Sequence, residues 1–305
     1  MNPVIVTVTL NPALDLTYRV DRLVPHSTHR VGGLAERAGG KGLNVARLLH
    51  STGEPVLATG LLGGDTGARI ARLLSEDGVP AAFVPIAGES RRTVAVVDDV
   101  DATGFWEPGP TVTAEEWAAF RAHFAGLLPS AAVVVLAGSL PRGLPVDAYA
   151  ELIRAAREHV VPTVLDTSGE ALLAGVAAGP DLVKPNLDEL SALVTGEVGE
   201  AAAELRRRGA GAVVVSAGPA GLSAFTSVGS WRARPPEVVA GNPTGAGDAC
   251  VAALARGLRD LQDWPDLLAD AVALSAAAVA APVAGAVDLP TSARLRPLVP
   301  ITVLE

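Results

Sequence analysis

The sequence predicts an α/β fold in which helices cover both faces of a doubly wound, mostly parallel central sheet. Short β-branched runs alternate with helical patterns over most of the chain, and four further short strands interrupt that alternation. The chain has 305 residues, of which 49% are hydrophobic, enough to bury a core in one large domain or two smaller ones. Ligands bind such sheets at the carboxyl ends of the strands, so functional residues are expected there.

Seven strands of the main sheet are predicted, at residues 4–9, 56–60, 81–85, 133–136, 162–166, 182–184 and 212–216. Helices are predicted between them, at residues 43–51, 67–77, 114–127, 147–159 and 187–193. Because strand and helix alternate at this spacing, neighbouring strands are expected to run parallel.

Two pairs of short strands interrupt this pattern and predict a small protruding β-sheet, a lid. Residues 16–20 and 28–31 read as paired strands around a turn at Pro25, and residues 92–97 and 102–106 read as a hairpin. The alternative is an ordinary extension of the main sheet. The prediction is a single domain, residues 1–305, with lid strands inserted at about 14–32 and 90–108. Because an isolated sheet of few strands needs a partner surface, the lid is expected to meet substrate or a second subunit, as in a homodimer.

Charge and cysteine content exclude several classes of function. The formal net charge of -9 argues against nucleic acid or an anionic membrane as a partner. A single cysteine excludes an internal disulfide and a thiolate metal cluster. The first residues have no basic region and read as a strand rather than a signal peptide, so a cytoplasmic protein is expected.

The segment from Thr244 to Asp248 has the features of a catalytic turn. The glycines at 245 and 247, with Ala246 between them, allow a tight turn, and a helix-forming run follows at once. The turn is expected to present free N–H groups of a helix N-terminus to a phosphate or a developing negative charge. Asp248 stands in that first turn, where a carboxylate can take a proton from an attacking hydroxyl. Together these features suit phosphoryl transfer to an alcohol, the alternative being a capping Asp after a glycine turn.

A second glycine-rich segment, Gly39-Gly40-Lys41-Gly42, leads into a predicted helix that carries Asn44. It lacks the P-loop signature, because Gly42 follows the lysine where Ser or Thr is required. The glycines would let the backbone approach a polyhydroxylated ligand, and Asn44 would hydrogen-bond its hydroxyls. The alternative is a turn that only starts a helix.

The segment after the predicted strand at 182–184 offers groups for a metal and for phosphates. Asn186 and Glu189 share a helix face at i, i+3, with Lys184 close by. An amide and a carboxylate there would organise Mg²⁺ through its waters, together with nucleotide phosphates. The alternative is a helix start whose acidic residues favour the helix dipole.

Two further features suggest contacts with phosphate or adenine. The turn containing Ser216, Gly218 and Gly221 follows a strand, so its backbone would line an adenine or phosphate pocket, unless it is a plain hairpin turn. Four arginines lie near predicted strand ends or in the lid and can bind phosphate in bidentate geometry, although any one of them would alternatively be solvated. They are Arg30, Arg91, Arg92 and Arg142.

Several motifs occur in one order along essentially the whole chain. They are Asn11-Pro12-Ala13-Leu14-Asp15, Gly39-Gly40-Lys41-Gly42-Leu43-Asn44, Gly63-Gly64-Asp65-Thr66-Gly67, Gly88-Glu89-Ser90-Arg91, Glu107-Pro108-Gly109-Pro110, Gly138-Ser139-Leu140-Pro141, Lys184-Pro185-Asn186-Leu187-Asp188-Glu189 and Thr244-Gly245-Ala246-Gly247-Asp248. In this order the chain resembles the ribokinase-like, phosphofructokinase B type family of carbohydrate kinases. Its opening and its first glycine segment resemble the branch of 1-phosphofructokinase and tagatose-6-phosphate kinase.

The resemblance implies a role for each group of residues. Asp248 would be the catalytic base, and Gly245, Ala246 and Gly247 would form the anion hole. Substrate contacts would come from Asp15, Gly39, Gly40, Lys41, Asn44, Ser139 and Arg142, with Arg91 on the substrate's existing phosphate. The nucleotide would contact Lys184, Asn186, Ser216, Gly218, Gly221 and Gly247, and Mg²⁺ would be held by Asn186 and Glu189 through water. Departures from the branch pattern at His29, Arg92 and Trp106 leave the identity of the sugar open.

The resemblance therefore implies an ATP- and Mg²⁺-dependent kinase of a phosphorylated ketohexose. Fructose 1-phosphate, phosphorylated at its 6-hydroxyl, is the first candidate and tagatose 6-phosphate the second. An unphosphorylated sugar or nucleoside is a third alternative, and a non-catalytic sugar-phosphate sensor is a fourth. An NAD-dependent oxidoreductase is excluded because the first strand is not followed by Gly-x-Gly-x-x-Gly.

Overall fold

The structure is a computed structural model that describes residues 3–281 and 285–304. Within these residues the strands, in chain order, are β1 (Val4–Thr9), β2 (Ala13–Arg19), β3 (Gly33–Gly39), β4 (Val56–Gly63), β5 (Ala81–Ile86), β6 (Arg91–Val97), β7 (Ala102–Trp106), β8 (Ala131–Ala137), β9 (Thr163–Asp166), β10 (Leu182–Val183), β11 (Ala212–Ser216), β12 (Leu222–Phe225), β13 (Ser230–Ala233) and β14 (Ile301–Val303). The helices are α1 (Lys41–Ser51), α2 (Gly64–Glu76), α3 (Ala114–Leu127), α4 (Ala148–Glu158), α5 (Gly169–Ala177), α6 (Leu187–Leu193), α7 (Val198–Arg207), α8 (Ala246–Arg259), α9 (Trp264–Ala280) and α10 (Leu289–Leu295).

Over the described residues the main sheet has ten strands, in the order β14-β13-β12-β11-β10-β9-β8-β1-β4-β5. The strands from β11 to β5 pair in parallel, whereas β12, β13 and β14 add to the β11 edge in antiparallel pairs. The chain passes from β1 to β4 on one side, and β8 pairs with β1 on the other, so the strand order reverses between β1 and β8. Such a reversal opens a crevice at the carboxyl ends of the strands, where ligands bind.

Helices cover both faces of this sheet, as the sequence predicts. One hydrophobic cluster contains residues of α1, α2, α8 and α9, and a second cluster on the opposite face contains residues of α3, α4, α5 and α7. The central strands are buried on both sides and mostly apolar, and residues 133–137 of β8 are fully buried. This two-sided burial explains why the parallel strands read as continuous apolar runs in the sequence. No helix among the described residues is both long and apolar enough to cross a bilayer.

The lid is a separate four-stranded sheet in the order β3-β2-β6-β7. The predicted hairpin at 92–97 and 102–106 is confirmed as β6 and β7. The predicted strand at 28–31 is wrong: those residues form no strand, and β2 pairs instead with β3, in the register Ala13↔Gly39 to Arg19↔Gly33. β3 consists largely of Gly, Ala and charged residues, which have low strand propensity, so its composition does not predict a strand. It is a strand because it pairs with β2.

The other differences from the sequence prediction concern short elements and boundaries. The predicted helices at 114–127 and 187–193 are confirmed at both ends, whereas α2 begins three residues earlier than predicted, at Gly64. The short strands β12, β13 and β14 and the helices α5, α7, α9 and α10 were not predicted. Each of the three strands has only three or four residues, too few for a clear alternating pattern.

Candidate active site

A cavity of about 630 Å³ lies beyond the carboxyl ends of β9, β10 and β11, against the N-terminus of α8. Ten residues predicted from the sequence line it, although they come from four separate parts of the chain. They are Lys41, Lys184, Asn186, Ser216, Gly218, Gly221, Gly245, Ala246, Gly247 and Asp248. The fold therefore brings these residues around one cavity, and the roles assigned to them from the sequence stay predictions.

The turn before α8 has the glycine-dependent geometry that the sequence suggests. Gly245 is the N-cap and has a φ of 92°, a left-handed conformation that favours glycine. Ala246, Gly247 and Asp248 form the first turn of α8, where backbone N–H groups lack partners inside the helix. The N–H of Ala246 donates to the carbonyl of Pro243 at 3.2 Å, within the turn itself. Gly247 lines the cavity beside it, so this end of the helix can face an anion.

Asp248 is a buried carboxylate with one well-defined donor. The residue is 8% exposed, and the Nδ2 group of Asn44 donates to its Oδ2 at 2.9 Å. Burial raises the pKa of Asp248 to about 6, and the negative charge of Asp166 acts in the same direction. The hydrogen bond from Asn44 and the charges of Lys41 and Lys184 oppose that rise. The carboxylate is thus ionised at neutral pH and more basic than an exposed aspartate, which suits a general base.

Two lysines converge on a second buried carboxylate, Asp166. The Nζ atoms of Lys41 and Lys184 lie 3.2 Å and 3.4 Å from Asp166 Oδ1, and Lys41 Nζ also lies 3.6 Å from Glu189 Oε1. Burial is the largest single influence on Lys184 and acts to lower its pKa, but the acidic groups around it, Asp166 first among them, together outweigh burial and the pKa is raised. Lys184 is therefore a cation in the cavity, and Lys41 forms ion pairs beside it, although the protein's net charge is negative.

Asp166 was not among the residues predicted for the site. It is the last residue of β9 and is 1% exposed, and it lines the same cavity as Asp248. A carboxylate at the carboxyl end of a buried parallel strand is a signal that the sequence contains. Its two lysine partners come from distant segments, so its function as their counter-ion becomes visible only in the structure.

Asn186 and Glu189 form a capping box at the start of α6. Asn186 Oδ1 accepts from the N–H of Glu189 at 2.7 Å, and the N–H of Asn186 donates to Glu189 Oε2 at 2.8 Å. Within residues 3–281 and 285–304, no group of three or more His, Cys, Asp or Glu side chains is arranged to hold a metal directly. Glu189 Oε1 lies nearest Lys41. The capping box engages one oxygen of Asn186 and one of Glu189, and the predicted binding of Mg²⁺ by these residues through water stays a prediction.

Asp15 on the lid strand β2 lies next to Gly39, the last residue of β3, and Gly40, the N-cap of α1. Asp15 lies on β2, and its Oδ1 accepts a hydrogen bond from the hydroxyl of Thr93 on β6. Burial raises the pKa of Asp15, against the effect of Thr93 and of nearby arginines. A Cβ at Gly39 would overlap the carboxylate of Asp15, and a Cβ at Gly40, whose φ is 113°, would lie 2.9 Å from Thr9 Cγ2. Only glycine at Gly39 leaves room for Asp15, so these residues form one packed unit.

Arg91 and Ser139 are brought together by Asn11. Arg91 Nε donates to the carbonyl of Asn11 at 3.1 Å, and Arg91 Nη1 donates to the carbonyl of Glu107 at 3.3 Å. The Nδ2 group of Asn11 donates to Ser139 Oγ at 3.2 Å. Asn11 is 6% exposed. It belongs to one of the motifs in the sequence, but no role was predicted for it. It links the root of β6 to the loop after β8.

Arg142 is not joined to this group. Its side chain is exposed, and its backbone carbonyl accepts from the N–H of Val112 at 2.8 Å. Arg30 and Arg92 are exposed as well. Of the four arginines singled out in the sequence, Arg91 is the one held against site residues, and the predicted substrate contact of Arg142 stays a prediction.

Comparison with known proteins gives consistent matches over nearly the whole chain. The family model for pfkB family carbohydrate kinases matches residues 8–292. A tagatose-6-phosphate kinase from Staphylococcus epidermidis is 36% identical over 273 residues, which cover 87% of this chain and 88% of that protein. Phosphofructokinase-2 from Escherichia coli, solved in complex with potassium, has a TM-score of 0.92 at 31% identity, covering 97% of this chain and 98% of that one. A possible 1-phosphofructokinase from Thermotoga maritima has a TM-score of 0.89 at 26% identity, covering 99% and 100%.

Proposed function

The chain belongs to the pfkB family of ATP-dependent carbohydrate kinases, and we propose that it phosphorylates a ketohexose phosphate, with fructose 1-phosphate the first candidate. The observation that carries this proposal is the buried carboxylate of Asp248 at the N-terminus of α8, in one cavity with Lys41 and Lys184. A base, an anion-binding helix end and two cations are the groups that phosphoryl transfer to an alcohol requires.

In the proposed reaction, the oxygen of a sugar hydroxyl attacks the γ-phosphorus of ATP. Asp248 accepts the hydroxyl proton as the new O–P bond forms, the bond between the γ-phosphorus and its bridging oxygen breaks, and ADP leaves. The first turn of α8, with Gly245 and Gly247, stabilises the negative charge on the transferring group. Lys184 and Lys41 offset charge on the phosphates from the side of Asp166.

The nucleotide is proposed to occupy the part of the cavity bounded by the turn Gly218–Ala220 and the start of α8. Ser216 and Gly221 flank that turn, and the opposite wall is apolar, including Val239 and Val272. An apolar wall with a few polar groups suits a purine base. Mg²⁺, held through water by Asn186 and Glu189, would neutralise charge on the ATP phosphates when bound.

The sugar phosphate is proposed to bind between this cavity and the lid. Asp15, Gly39, Gly40 and Asn44 would contact its hydroxyls, and Arg91 would bind the phosphate that the substrate already carries. The support for Arg91 is its position at the root of β6, next to Asn11 and Ser139. Tagatose 6-phosphate is the second candidate substrate, since the Staphylococcus epidermidis relative is a tagatose-6-phosphate kinase.

A coupled ADP-release assay tests this proposal. ATP and Mg²⁺ are supplied with fructose 1-phosphate, fructose 6-phosphate, tagatose 6-phosphate, the free hexoses or a nucleoside. We expect ADP release to depend on the acceptor and to be fastest with one of the ketohexose phosphates. Preference for a free hexose or a nucleoside would contradict the proposed substrate class, and the absence of turnover with every acceptor would contradict the proposal as a whole.

The pKa of Asp248 predicts how turnover depends on pH. Because the base must be ionised and burial raises its pKa to about 6, kcat is expected to be constant above about pH 7 and to fall below pH 6, approaching tenfold per pH unit. The second pKa of a sugar phosphate also lies near 6. The profile is therefore measured as kcat at saturating substrate and repeated with a free hexose at high concentration. A kcat that stays constant from pH 8 to pH 5 would argue against Asp248 as the base.

The exposed apolar residues of the lid predict self-association. Phe105 and Trp106 on the edge strand β7 are 57% and 77% exposed, and Leu34 on β3 is 59% exposed. In the strand register Leu34 and Phe105 share one face of the lid, whereas Trp106 points to the other. We propose that the lid meets a second copy of the chain, because a sheet of four strands with exposed aromatic residues needs a partner surface. Sedimentation analysis is expected to give a dimer for the wild type and a monomer for a Phe105→Ser, Trp106→Ser variant. A monomeric wild type at micromolar concentration would contradict the dimer.

A further inference from the structure

Asn44 makes a hydrogen bond at each end of its side-chain amide. Asn44 and Arg47 lie on one face of α1 at i, i+3, so their side chains are neighbours. The Nδ2 group donates to Asp248 Oδ2 at 2.9 Å, while Oδ1 accepts from Arg47 Nη1 at 3.1 Å. The amide therefore connects the carboxylate of the proposed base to a guanidinium on the same helix.

Arg47 is itself held firmly from two other elements. Its Nη2 donates to the carbonyl of Ala38 in β3 at 2.6 Å, and its Nε donates to Asp77 Oδ2, just after α2, at 2.9 Å. Arg47 is 6% exposed, whereas the side chain of Asp77 is 43% exposed. A planar guanidinium that serves three acceptors from three directions has one orientation, which a flexible ammonium cannot reproduce.

The chemistry of the three groups determines which way the amide points. A guanidinium can only donate hydrogen bonds and an ionised carboxylate can only accept them. The oxygen of the amide must therefore face Arg47, and its nitrogen must face Asp248. Without Arg47, the amide oxygen loses its partner and the carboxylate alone holds the amide, so the side chain is free to turn away from Asp248.

We propose that Arg47 is a positioning residue for the base: it fixes the amide of Asn44 so that its N–H group donates to the carboxylate of Asp248. Arg47 does not touch the reacting atoms and acts through Asn44. The inference rests on the proposed function only in taking Asp248 as the base, and it does not depend on which acceptor is phosphorylated.

The position of that N–H group matters because the groups around Asp248 have opposite effects on its pKa. Burial and Asp166 raise the pKa of Asp248, and Asn44, Lys41 and Lys184 lower it. Losing the donor is therefore expected to raise the pKa further. If the pKa of Asp248 rises by about one unit from 6, the ionised fraction of its carboxylate falls about fivefold at pH 6 and very little at pH 8. A loss of turnover at pH 6 that recovers at pH 8 is thus the expected signature.

Arg47 also faces charged groups other than Asn44, and the experiment must separate them. Arg37 on β3 and Asp15 on β2 are close enough for Arg47 to affect the pKa of each, and Asp77 is its ion-pair partner. Removing Arg47 therefore changes the electrostatics around Asp15 as well. An effect through Asp15 does not need Asn44, whereas the proposed effect does.

A double-mutant cycle makes that distinction. Arg47→Met, which keeps the length and removes the donors, is made alone and on an Asn44→Ala background, and kcat is measured from pH 5.5 to pH 8.5. Arg47→Met alone should reduce kcat about fivefold at pH 6, with recovery at pH 8. On the Asn44→Ala background it should cause no further shift of the profile. A loss that is the same at every pH, or equal shifts in both backgrounds, would overturn the proposal.

Two further variants keep the test decisive. Asp77→Asn removes the ion pair but leaves the hydrogen bond from Arg47 to Asn44, so its kcat profile should match that of the wild type. If Arg47→Met proves unfolded, Arg47→Lys keeps a cation but not the fork, and it should show the same shift. A wild-type profile for a folded Arg47→Lys would overturn the proposal. If Asp248→Asn abolishes turnover but the pH profiles of the Arg47 variants match that of the wild type, the inference about Arg47 fails and the proposed function stands. If Asp248→Asn keeps a wild-type kcat, Asp248 is not the base and the proposed mechanism fails.

Discussion

Replacing Asp248 with asparagine should reduce kcat by about 10²–10⁴, the usual cost of losing a general base. The amide keeps the shape of the side chain and can accept from Asn44, but it cannot take up the proton of the attacking hydroxyl. Binding of ATP and of the sugar phosphate should remain close to wild type, because the lysines, Arg91 and the glycine turns are unchanged. A purified Asp248→Asn protein with near wild-type kcat would show that Asp248 is a structural cap only.

The stability of the Asp248→Asn protein is the control for its loss of activity. The pKa of Asp248 is higher in the folded protein than its ordinary value of 3.8, so its contribution to stability is present at acid pH and is lost as pH rises through about 6. The ionised carboxylate is therefore a net cost at pH 7.5, and asparagine removes it. We expect the free energy of unfolding of Asp248→Asn at pH 7.5 to equal or exceed that of the wild type, with the difference shrinking towards pH 4. A large loss of stability would attribute any loss of activity to misfolding.

Replacing Arg91 with alanine should raise KM for the phosphorylated sugar at least about tenfold and leave KM for ATP nearly unchanged. Two of the guanidinium nitrogens donate to carbonyls of Asn11 and Glu107, which fixes the plane of the group. Among the described residues its Nη2 has no hydrogen-bond partner, so it is available to a phosphate. A charge-assisted contact of this kind contributes about 1.5–3 kcal/mol.

Two variants act as controls for Arg91. Arg91→Lys should restore only part of the affinity, because an ammonium cannot reproduce the fork. Arg92→Ala removes the neighbouring exposed arginine from the same strand and should leave both KM values close to wild type. If Arg91→Ala changes KM for ATP alone, or if Arg92→Ala has the larger effect on the sugar, the proposed phosphate contact is wrong.

The parts of the fold that could be predicted are those that local sequence determines. The parallel strands are buried on both faces and therefore appear as apolar runs, and the turn before α8 is determined by its own glycines. The strand β3 could not be predicted from its composition, because its conformation follows from its register with β2. The short strands β12 and β13 extend the sheet only because β11 offers an edge to pair with.

The candidate site likewise contains residues that local sequence indicates and residues whose roles depend on tertiary contacts. Asp248 and the glycine segments could be proposed as site residues because each is recognisable in a few consecutive residues. Asp166 and Arg47 were missed, because their roles depend on partners brought together by folding: Asp166 on the lysines at 41 and 184, and Arg47 on an amide that reaches a carboxylate 204 residues away. A sequence reports which groups are present, but the pairing of buried charges depends on tertiary contacts.

The most direct test of the proposed function compares a ketohexose phosphate with its free sugar. Wild-type kcat/KM is measured with ATP and Mg²⁺ for fructose 1-phosphate and fructose, and for tagatose 6-phosphate and tagatose. If Arg91 binds the existing phosphate, the better phosphosugar should exceed its free hexose at least about tenfold, the ratio expected from one charge-assisted contact. Equal kcat/KM for a hexose and its phosphate would contradict a kinase that selects phosphorylated sugars.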